Sequence, residues 1–261
     1  MIRLSNLSCG YGAGDVLKGA TLEVESGEMV ALCGPNGSGK TTLIRALTGI
    51  ITPSSGEMEL AGRDASGLAP KARARLAATV PQRPDAPPGL TVYSLVLMGR
   101  YPYISMLSGY SREDRRAAMA AMRETSTAEF ADRRAFELSG GEFQRALIAR
   151  AIAQSAGLLL LDEAGSNLDV ARKIEIHDML ARKNAEGTTI LSAAHDLNLA
   201  ALYFRRLIFI KHGRVVSDGP PSETFTEKNL SEIYETEIKI SNHPVTGTPQ
   251  AHLVPGAVGA G

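Results

Sequence analysis

The chain has 261 residues, 44% of them hydrophobic and 21% charged, an ordinary balance for a soluble globular protein. This length can bury one large core or two modest ones. Its 28 basic and 28 acidic residues cancel to a net charge of zero, which argues against a nucleic-acid partner. No secretory signal is expected, and the longest aliphatic run, Leu158 to Leu161, is too short to span a bilayer. Any membrane role is therefore expected to come through a partner.

The first thirty residues alternate between apolar and polar side chains, as in Leu22-Glu23-Val24-Glu25, and Met58-Glu59-Leu60 repeats the pattern. These segments predict an antiparallel β edge on a parallel core. The unbroken apolar run Met29–Cys33 predicts a buried parallel strand. The two cysteines, Cys9 and Cys33, lack metal-ligand spacing, so Cys33 is expected to be an inert core residue in a reducing compartment.

A glycine-rich segment, Gly34-Pro35-Asn36-Gly37-Ser38-Gly39-Lys40-Thr41, follows this strand and fits the phosphate-binding pattern G-x-x-x-x-G-K-[ST]. Leu43, Ile44 and Leu47 then recur at helical spacing, and Gly49 predicts the end of the helix. Glycines let backbone N–H groups turn toward phosphate oxygens, and the helix N-terminus adds positive partial charge. We expect Lys40 to reach the β- and γ-phosphates and the Thr41 hydroxyl to ligate Mg²⁺, with Thr42 also at the nucleotide. A chance glycine turn would not explain the flanking strand and helix.

The middle of the chain predicts an insertion in an α/β domain. Residues 81–90 are too rich in proline for a helix or a central strand, and residues 92–154 are mainly helical in pattern. Core strands resume at Leu158–Leu161 and Thr188–Ser192, around a helix from about Val170 to Lys183. The predicted division is therefore an α/β core of residues 1–81 and 155–239, a helical subdomain of 82–154, and an irregular, proline-containing tail of 240–261.

Two further motifs carry possible chemistry. Asp162 and Glu163 come directly after the strand Leu158–Leu161, at the edge where open α/β sheets bind ligands. Asp162 is expected to hold Mg²⁺ through water, and Glu163 to polarise the attacking water. Leu138-Ser139-Gly140-Gly141-Glu142 precedes a helix predicted to begin near Phe143, so it predicts a second anion site, although an ordinary turn and cap has the same letters.

The order of these motifs resembles the ATP-binding cassette (ABC) ATPases over roughly residues 1–235. The resemblance is carried by the phosphate loop, Gln82, the Ser139 motif, the Asp162–Glu163 pair, Ser166-Asn167-Leu168-Asp169 and His195. It implies a P-loop NTPase (RecA-like) parallel-sheet core with an antiparallel β edge and an inserted helical subdomain. It also implies ATP hydrolysis with Mg²⁺ by a head-to-tail homodimer that encloses two ATP molecules.

The resemblance implies a role for each matching residue. Tyr11 would stack on adenine, unless it is simply a tyrosine in a glycine turn. Gln82 would sense Mg²⁺ and the attacking water, and His195 would contact the γ-phosphate. Ser139, with Gly140 and Gly141, would meet the γ-phosphate of the opposite subunit's ATP, and Asp169 would communicate across the dimer.

One position departs from the family pattern. Ala164-Gly165 stands where Pro-Thr is usual, and neither side chain is assigned chemistry. Activity is therefore expected to survive, but Gly165 could loosen the turn that positions Asp169.

Three segments are similar to the ATPases of iron-chelate, haem and cobalamin importers: residues 91–103, 195–200 and 243–249. The resemblance implies a peripheral subunit on the cytoplasmic face of the inner membrane. It would work with an integral-membrane permease and, indirectly, with a periplasmic or lipid-anchored binding protein. Leu90, Tyr93, Tyr101 and Tyr103 are expected at the permease-facing surface, unless the tyrosines pack internally.

Other functions remain open on the sequence alone. An importer of molybdate or another oxyanion would have similar permease-facing segments. A soluble ABC ATPase acting without a permease, or a structural module with a dead site, is disfavoured by the neutral charge and by the intact Lys40, Glu163 and His195.

Overall fold

The computed structural model describes residues 1–12, 14–82, 86, 88–105, 109–163 and 168–255. The strands, in chain order, are β1 (Ile2–Tyr11), β2 (Gly14–Val24), β3 (Met29–Cys33), β4 (Ser55–Leu60), β5 (Arg63–Asp64), β6 (Ala77–Val80), β7 (Leu158–Asp162), β8 (Thr189–Ala193), β9 (Arg206–Lys211), β10 (Arg214–Gly219), β11 (Ile238–Asn242) and β12 (Pro249–Leu253). The helices are α1 (Lys40–Thr48), α2 (Pro70–Leu76), α3 (Val92–Leu97), α4 (Arg112–Glu124), α5 (Gly140–Ala153), α6 (Val170–Ala185), α7 (Leu197–Tyr203), α8 (Pro221–Thr224) and α9 (Glu227–Tyr234). Within these residues, 3₁₀ turns cover Met98–Tyr103, Ala128–Phe130 and Ala135–Glu137.

The chain divides into two compact units. The first comprises Met1–Ser66 and Leu191–Gly261, and the second comprises Gly67–Ile190. The predicted helical segment 82–154 lies wholly within the second unit. The exact boundaries of the predicted domains stay a prediction. None of the described helices is long and apolar enough to cross a membrane.

The first unit contains both kinds of sheet that the sequence predicts. Strands β2, β1, β4 and β5 form an antiparallel sheet in that order, with Ile2 opposite Val24 and Leu4 opposite Leu22. These four side chains are buried, which is why the alternating pattern appears in the sequence. Strand β3 pairs in parallel with β9, and all five β3 residues are buried. The β3 boundaries agree with the sequence prediction.

Burial also explains the behaviour of the two cysteines. Cys9 lies in β1 and Cys33 in β3, and both are free thiols in the core. Burial raises the pKa of the Cys9 thiol to about 11 and that of Cys33 to about 12. Because the thiolate is the reactive form, both residues behave as small apolar groups, as predicted for Cys33.

The second unit combines a parallel strand pair with most of the helices. Strand β6 pairs in parallel with β7, and Ala77 lies opposite Leu158 at the start of the pair. The strand predicted at Leu158–Leu161 extends one residue further, to Asp162. Helix α6 begins at Val170 as predicted and continues to Ala185, two residues beyond the predicted end. The α/β class is confirmed.

Helix α5 begins earlier than predicted, at Gly140 rather than near Phe143. The Ser139 side chain accepts a hydrogen bond from the Glu142 N–H, and the Glu142 carboxylate accepts one from the Ser139 N–H. This capping box allows two glycines to occupy the first turn despite their low helix propensity. The prediction placed the start of α5 too late because the apolar periodicity begins after the capping residue.

The prediction of an irregular tail from residue 240 was wrong as far as Leu253. Strands β11 and β12 pair in antiparallel, with Ile238 opposite Leu253 and Asn242 opposite Pro249. Pro249 stands at the first position of its strand, where proline is tolerated, and Pro244 lies in the connecting turn. The tail beyond residue 255 lies outside the described residues.

Candidate functional site

The phosphate loop connects β3 to α1 in the first unit, and three glycines give it its shape. Gly34, Gly37 and Gly39 have φ values of 138°, 75° and 115°, a region that residues with a side chain rarely adopt. A Cβ on Gly34 would also lie 2.0 Å from the Ile210 carbonyl oxygen of β9. The backbone therefore approaches β9 so closely that only glycine fits at Gly34.

Lys40 is buried although it carries a charge, with only 4% of its surface exposed. Its Nζ donates to the carbonyl oxygens of Gly34, at 2.7 Å, and Pro35, at 3.0 Å. Carbonyl oxygens are suitable acceptors for a buried amino group. These two bonds hold the Lys40 side chain along the first residues of the loop.

The N-terminus of α1 is left open to an anion. Its N-cap residue is Gly39, no side chain caps it, and its first turn holds no acidic residue. Among the described residues nothing hydrogen-bonds to the buried Ser38 hydroxyl. N-terminal N–H groups and the helix dipole favour negative charge. The loop therefore fits a nucleotide phosphate.

Tyr11 ends β1 and is 49% exposed. The Arg45 side chain donates a hydrogen bond of 2.8 Å to the Tyr11 hydroxyl, and its guanidinium lies 5.7 Å from the ring centroid. The ring is thus held by a cation and still partly open to solvent, an arrangement that suits an aromatic stacking surface.

The second unit brings Gln82 and Glu163 together. The Gln82 Nε2 donates a hydrogen bond to Oε2 of Glu163, 81 residues further along the chain. Asp162 is buried at the end of β7, and Glu163 follows it with a φ of 57°, a left-handed conformation. Such a conformation costs roughly 1–3 kcal/mol at a non-glycine residue and clusters at functional sites. Residues 164–167, including the Ala164-Gly165 departure, Ser166 and Asn167, lie outside the described residues.

The Ser139 motif starts α5 with its own acid in place. The Glu142 carboxylate accepts the Ser139 N–H at 2.8 Å, and this bond, together with that from the serine side chain, lowers the pKa of Glu142. Gly140 has open space where a Cβ would be, whereas a Cβ on Gly141 would lie 3.5 Å from the Leu168 side chain. The Glu142 carboxylate therefore already occupies the N-terminus of α5, which is less accessible to another anion than the phosphate loop.

Two predicted residues lie at or directly before the start of a helix. Asp169 is the N-cap of α6, and its side chain accepts a 2.9 Å hydrogen bond from the Arg172 N–H. His195 is exposed after β8, directly before Asp196, which caps α7. The phosphate loop, Tyr11 and His195 belong to the first unit. Gln82, the Ser139 motif, Asp162, Glu163 and Asp169 belong to the second.

On the predicted aromatic surface of the second unit, basic side chains lie over the rings of Tyr101 and Tyr103. Tyr101 is 61% exposed, and the Lys71 ammonium lies 5.0 Å from its ring centroid. Tyr103 is half-buried between Arg75 and Arg100, whose guanidinium carbons lie 5.4 and 4.0 Å from its ring. Tyr101 therefore fits the exposed prediction, while Tyr103 is partly packed, as the alternative expected.

A buried ion pair with Asp114 holds Arg100, the cation that lies over the Tyr103 ring. Their side chains are each 9% exposed, and Arg100 Nε donates to Asp114 at 3.0 Å. Arg100 also donates to the Ala153 carbonyl oxygen at the end of α5. Leu90 and Tyr93, the other members of the predicted surface, are half-buried.

Sequence reasoning missed two groups behind the phosphate loop. The Gly34 N–H donates to the Tyr234 hydroxyl at 3.0 Å, and the Gly213 N–H donates to the Ser38 carbonyl oxygen at 3.1 Å. Tyr234 lies at the end of α9, 200 residues after Gly34. No local pattern in a single sequence could pair residues so far apart.

Comparison with known proteins agrees with this geometry. The family described as ABC transporter matches residues 17–166, more than half of the chain. The probable siderophore transport system ATP-binding protein YusV of Bacillus subtilis (strain 168) is 39% identical over 249 residues, which cover 95% of this chain and 90% of that protein.

Two solved structures are similar as well. One is of a transporter described as metal-chelate type, in an inward-facing conformation, with a TM-score of 0.84 and 26% identity over 97% of this chain and 96% of that one. The other is the dimeric ATP-binding cassette MJ0796 bound to ADP and Pi, with a TM-score of 0.76 and 29% identity over 84% and 98%.

These findings show that the chain belongs to the ABC transporter family, as one of its ATP-binding subunits. Subunits of this kind are ATPases coupled to transport, so the enzyme class predicted from the sequence is confirmed. The predicted resemblance to the metal-chelate importer branch is confirmed as well.

Proposed function

We propose that this protein is the ATP-hydrolysing subunit of a binding-protein-dependent importer for a ferric siderophore, haem or cobalamin-type metal chelate. The observation that carries the proposal is the similarity to a siderophore transport ATP-binding protein over 95% of the chain. A match of this extent covers much more of the chain than the nucleotide motifs alone.

The first unit would bind the nucleotide. The backbone of Gly34 to Gly39 and the open N-terminus of α1 would hold the β- and γ-phosphates, with Lys40 supplying positive charge. Thr41 and Thr42 begin α1 at the same end. Tyr11 would stack on the adenine, and His195 would contact the γ-phosphate.

The second unit would supply the hydrolytic groups. Glu163 would accept a proton from water as the water oxygen attacks the γ-phosphorus and the bond to the β-phosphate oxygen of ADP breaks. The Gln82 amide already donates to Glu163, so it would orient that carboxylate and sense the attacking water. The backbone strain at Glu163 supports a functional role for this turn.

The oxygen donors of Thr41, Asp162 and Gln82 suit Mg²⁺, which prefers carboxylate, hydroxyl and carbonyl oxygens. Asp162 is buried at the end of β7. These three residues would hold the ion, and Mg²⁺ would neutralise charge on the phosphates when bound.

A second copy of the chain would complete the site. The similar cassette MJ0796 is described as dimeric, and its bound ADP and Pi are the products of ATP hydrolysis. Ser139, Gly140 and Gly141 of one subunit would then meet the ATP of its partner, and Asp169 would communicate across the interface. ATP binding would favour the closed dimer and hydrolysis would reopen it.

The membrane partner would be an integral permease at the cytoplasmic face of the inner membrane, served by a periplasmic or lipid-anchored binding protein. The exposed ring of Tyr101 would form part of the docking surface, together with Met98, which is 47% exposed. This chain would then be a peripheral subunit.

The variant Glu163→Gln tests the chemical step. It should lower ATP turnover by roughly a hundredfold or more while ATP binding persists, because the amide keeps the size of the side chain but cannot accept the proton. Glu129→Gln, at an exposed position of the same unit, is the matched control and should hydrolyse ATP normally. ATPase activity close to wild type in Glu163→Gln would sink the assignment.

An uptake assay tests the transport role. A deletion strain should lose uptake of a radiolabelled ferric siderophore, haem or cobalamin, and the wild-type gene should restore it while Glu163→Gln should not. Normal uptake of all three chelates by the deletion strain would contradict the proposed substrate class.

A further inference from the structure

The peptide groups on either side of Gly34 are each held by a side chain. The N–H of Gly34, which belongs to the peptide leaving β3, donates to the Tyr234 hydroxyl at 3.0 Å. The carbonyl oxygen of Gly34, in the next peptide, accepts from Lys40 Nζ at 2.7 Å. Because φ and ψ of Gly34 relate these two peptide planes, Tyr234 and Lys40 together define the turn at which the chain enters the phosphate loop.

The conformation at this turn is demanding. Gly34 has a φ of 138°, and its α-carbon faces the Ile210 carbonyl oxygen so closely that a Cβ would lie 2.0 Å from it. Glycine also has more conformational freedom than any other residue when a loop is not ordered. The hydrogen bond that the Gly34 N–H donates to a rigid aromatic side chain therefore restricts one of the most flexible residue types in the loop.

Tyr234 is itself firmly placed. It ends α9, which is anchored in the core by Leu230 and Ile233, exposed by 0% and 4%. Burial raises the pKa of the Tyr234 phenol above its usual range, so the hydroxyl stays neutral and protonated across the physiological range. The Tyr234 oxygen is thus a fixed, uncharged acceptor.

A second connection joins the end of α9 to the loop through the β9–β10 turn. Lys211 donates to the Glu232 carbonyl oxygen at 2.6 Å and pairs with Glu235 at 2.8 Å. Two residues later, the Gly213 N–H donates to the Ser38 carbonyl oxygen at 3.1 Å. The C-terminal helix thus contacts the loop directly at its first residue, and indirectly at its fifth.

We propose that Tyr234 is a positioning residue of the nucleotide site, which pre-orders the phosphate loop through the Gly34 N–H. The inference rests on the proposed function, since it assumes that this loop binds ATP. In this role Tyr234 would act through the loop backbone and not through the nucleotide itself. Its hydroxyl reduces the ordering that phosphate binding would otherwise require, so its loss should weaken ATP binding and leave the chemical step intact.

The variant Tyr234→Phe removes only the hydroxyl. Because one neutral hydrogen bond contributes modestly, the dissociation constant for ATP should rise about 3- to 10-fold. At saturating ATP, kcat should stay within about twofold of wild type, since the catalytic groups are unchanged. In the nucleotide-free protein, the Gly34 amide should exchange with deuterium faster than in wild type.

The neighbouring residue provides the matched control. Ile233→Val removes one buried carbon from the same helix without touching the hydrogen bond, so it should lower the melting temperature but leave ATP affinity and Gly34 exchange unchanged. Equal losses of ATP affinity in the two variants would assign the effect to the packing of α9 and overturn the proposal. Wild-type ATP affinity in Tyr234→Phe would also overturn it, whatever the amide exchange.

The wild-type protein and Lys40→Ala separate this inference from the proposed function. If wild type binds ATP tightly and Lys40→Ala does not, the proposed function stands. Wild-type ATP affinity in Tyr234→Phe would then reject only the role of Tyr234. A wild-type protein that binds no ATP would reject the proposed function, and with it the inference.

Discussion

Two helices of this protein begin in glycine-rich turns, and their first turns are built differently. Helix α1 begins after Gly39, with no side-chain cap and no acid in its first turn. Helix α5 begins after Ser139, with a complete capping box formed by Ser139 and Glu142. Both turns were predicted as anion sites because glycine and serine at a helix N-terminus suit an anion.

The comparison indicates that the capping residue affects how readily the N-terminus of a helix can bind an anion. At α1 no side-chain cap and no acidic residue of the first turn competes with a ligand. At α5 the Glu142 carboxylate already satisfies the Ser139 N–H and brings its own negative charge. The first turn is therefore suited to phosphate within one chain, and we expect the second to meet an anion only when a partner subunit presents it.

The largest expected difference between the two turns comes from replacing a glycine. Gly34→Ala places a Cβ 2.0 Å from the Ile210 carbonyl oxygen at a φ of 138°, and should destabilise the fold by at least about 2–3 kcal/mol. Gly140→Ala meets open space in a helix and should change the free energy of unfolding by less than about 1 kcal/mol. Urea denaturation compares them, and equal losses would contradict the account of the phosphate loop.

A smaller effect is expected from removing the cap of α5. Ser139→Ala should cost about 0.5–1 kcal/mol, at the low end for an N-cap because its hydrogen bond is 3.4 Å long. Thr91→Ala, which uncaps α3 by losing a bond to the Ser94 N–H, should cost a similar amount. Only Ser139→Ala should also lower the ATPase rate. If both variants kept full activity, Ser139 would have a structural role alone.

The smallest expected effect concerns pH. Hydrogen bonds from the Ser139 N–H and side chain lower the pKa of Glu142 below its usual value in the folded state. Its contribution to stability is therefore complete above the pKa of an unfolded glutamate, about 4.3, and is lost as pH falls through the lowered pKa of the folded state. The stability difference between wild type and Glu142→Gln should narrow from pH 6 to pH 3. Parallel curves over that range would show that the carboxylate does not interact with the helix start.

The sequence predicted the parts of this protein that are encoded by neighbouring residues. Strand β3 and the end of α1 at Gly49 follow from an apolar run and from one glycine with a φ of 79°. The start of α5 was misplaced because a capping box, and not periodicity, sets it. The C-terminal hairpin was missed because its prolines stand at permitted positions, which composition does not reveal.

The features of the site that the sequence did not predict depend on contacts between residues far apart in the chain. Gln82 was assigned to the nucleotide by its resemblance to the family motif, but its hydrogen bond to Glu163 depends on the arrangement of the fold. The contact of Tyr234 with Gly34 joins residues 200 positions apart and carries no motif that we could recognise.

Mixing two inactive variants tests most directly whether the open and the capped helix starts serve one nucleotide across a dimer. Lys40→Ala disables the phosphate loop, and Ser139→Arg places bulk and charge in the capped turn, so each homodimer should be inactive. In a mixed dimer, the intact loop of the Ser139→Arg chain would face the intact Ser139 turn of the Lys40→Ala chain. ATPase activity should therefore rise on mixing, well above the sum of the separate rates. Activity equal to that sum, in samples shown to contain mixed dimers, would contradict the shared site.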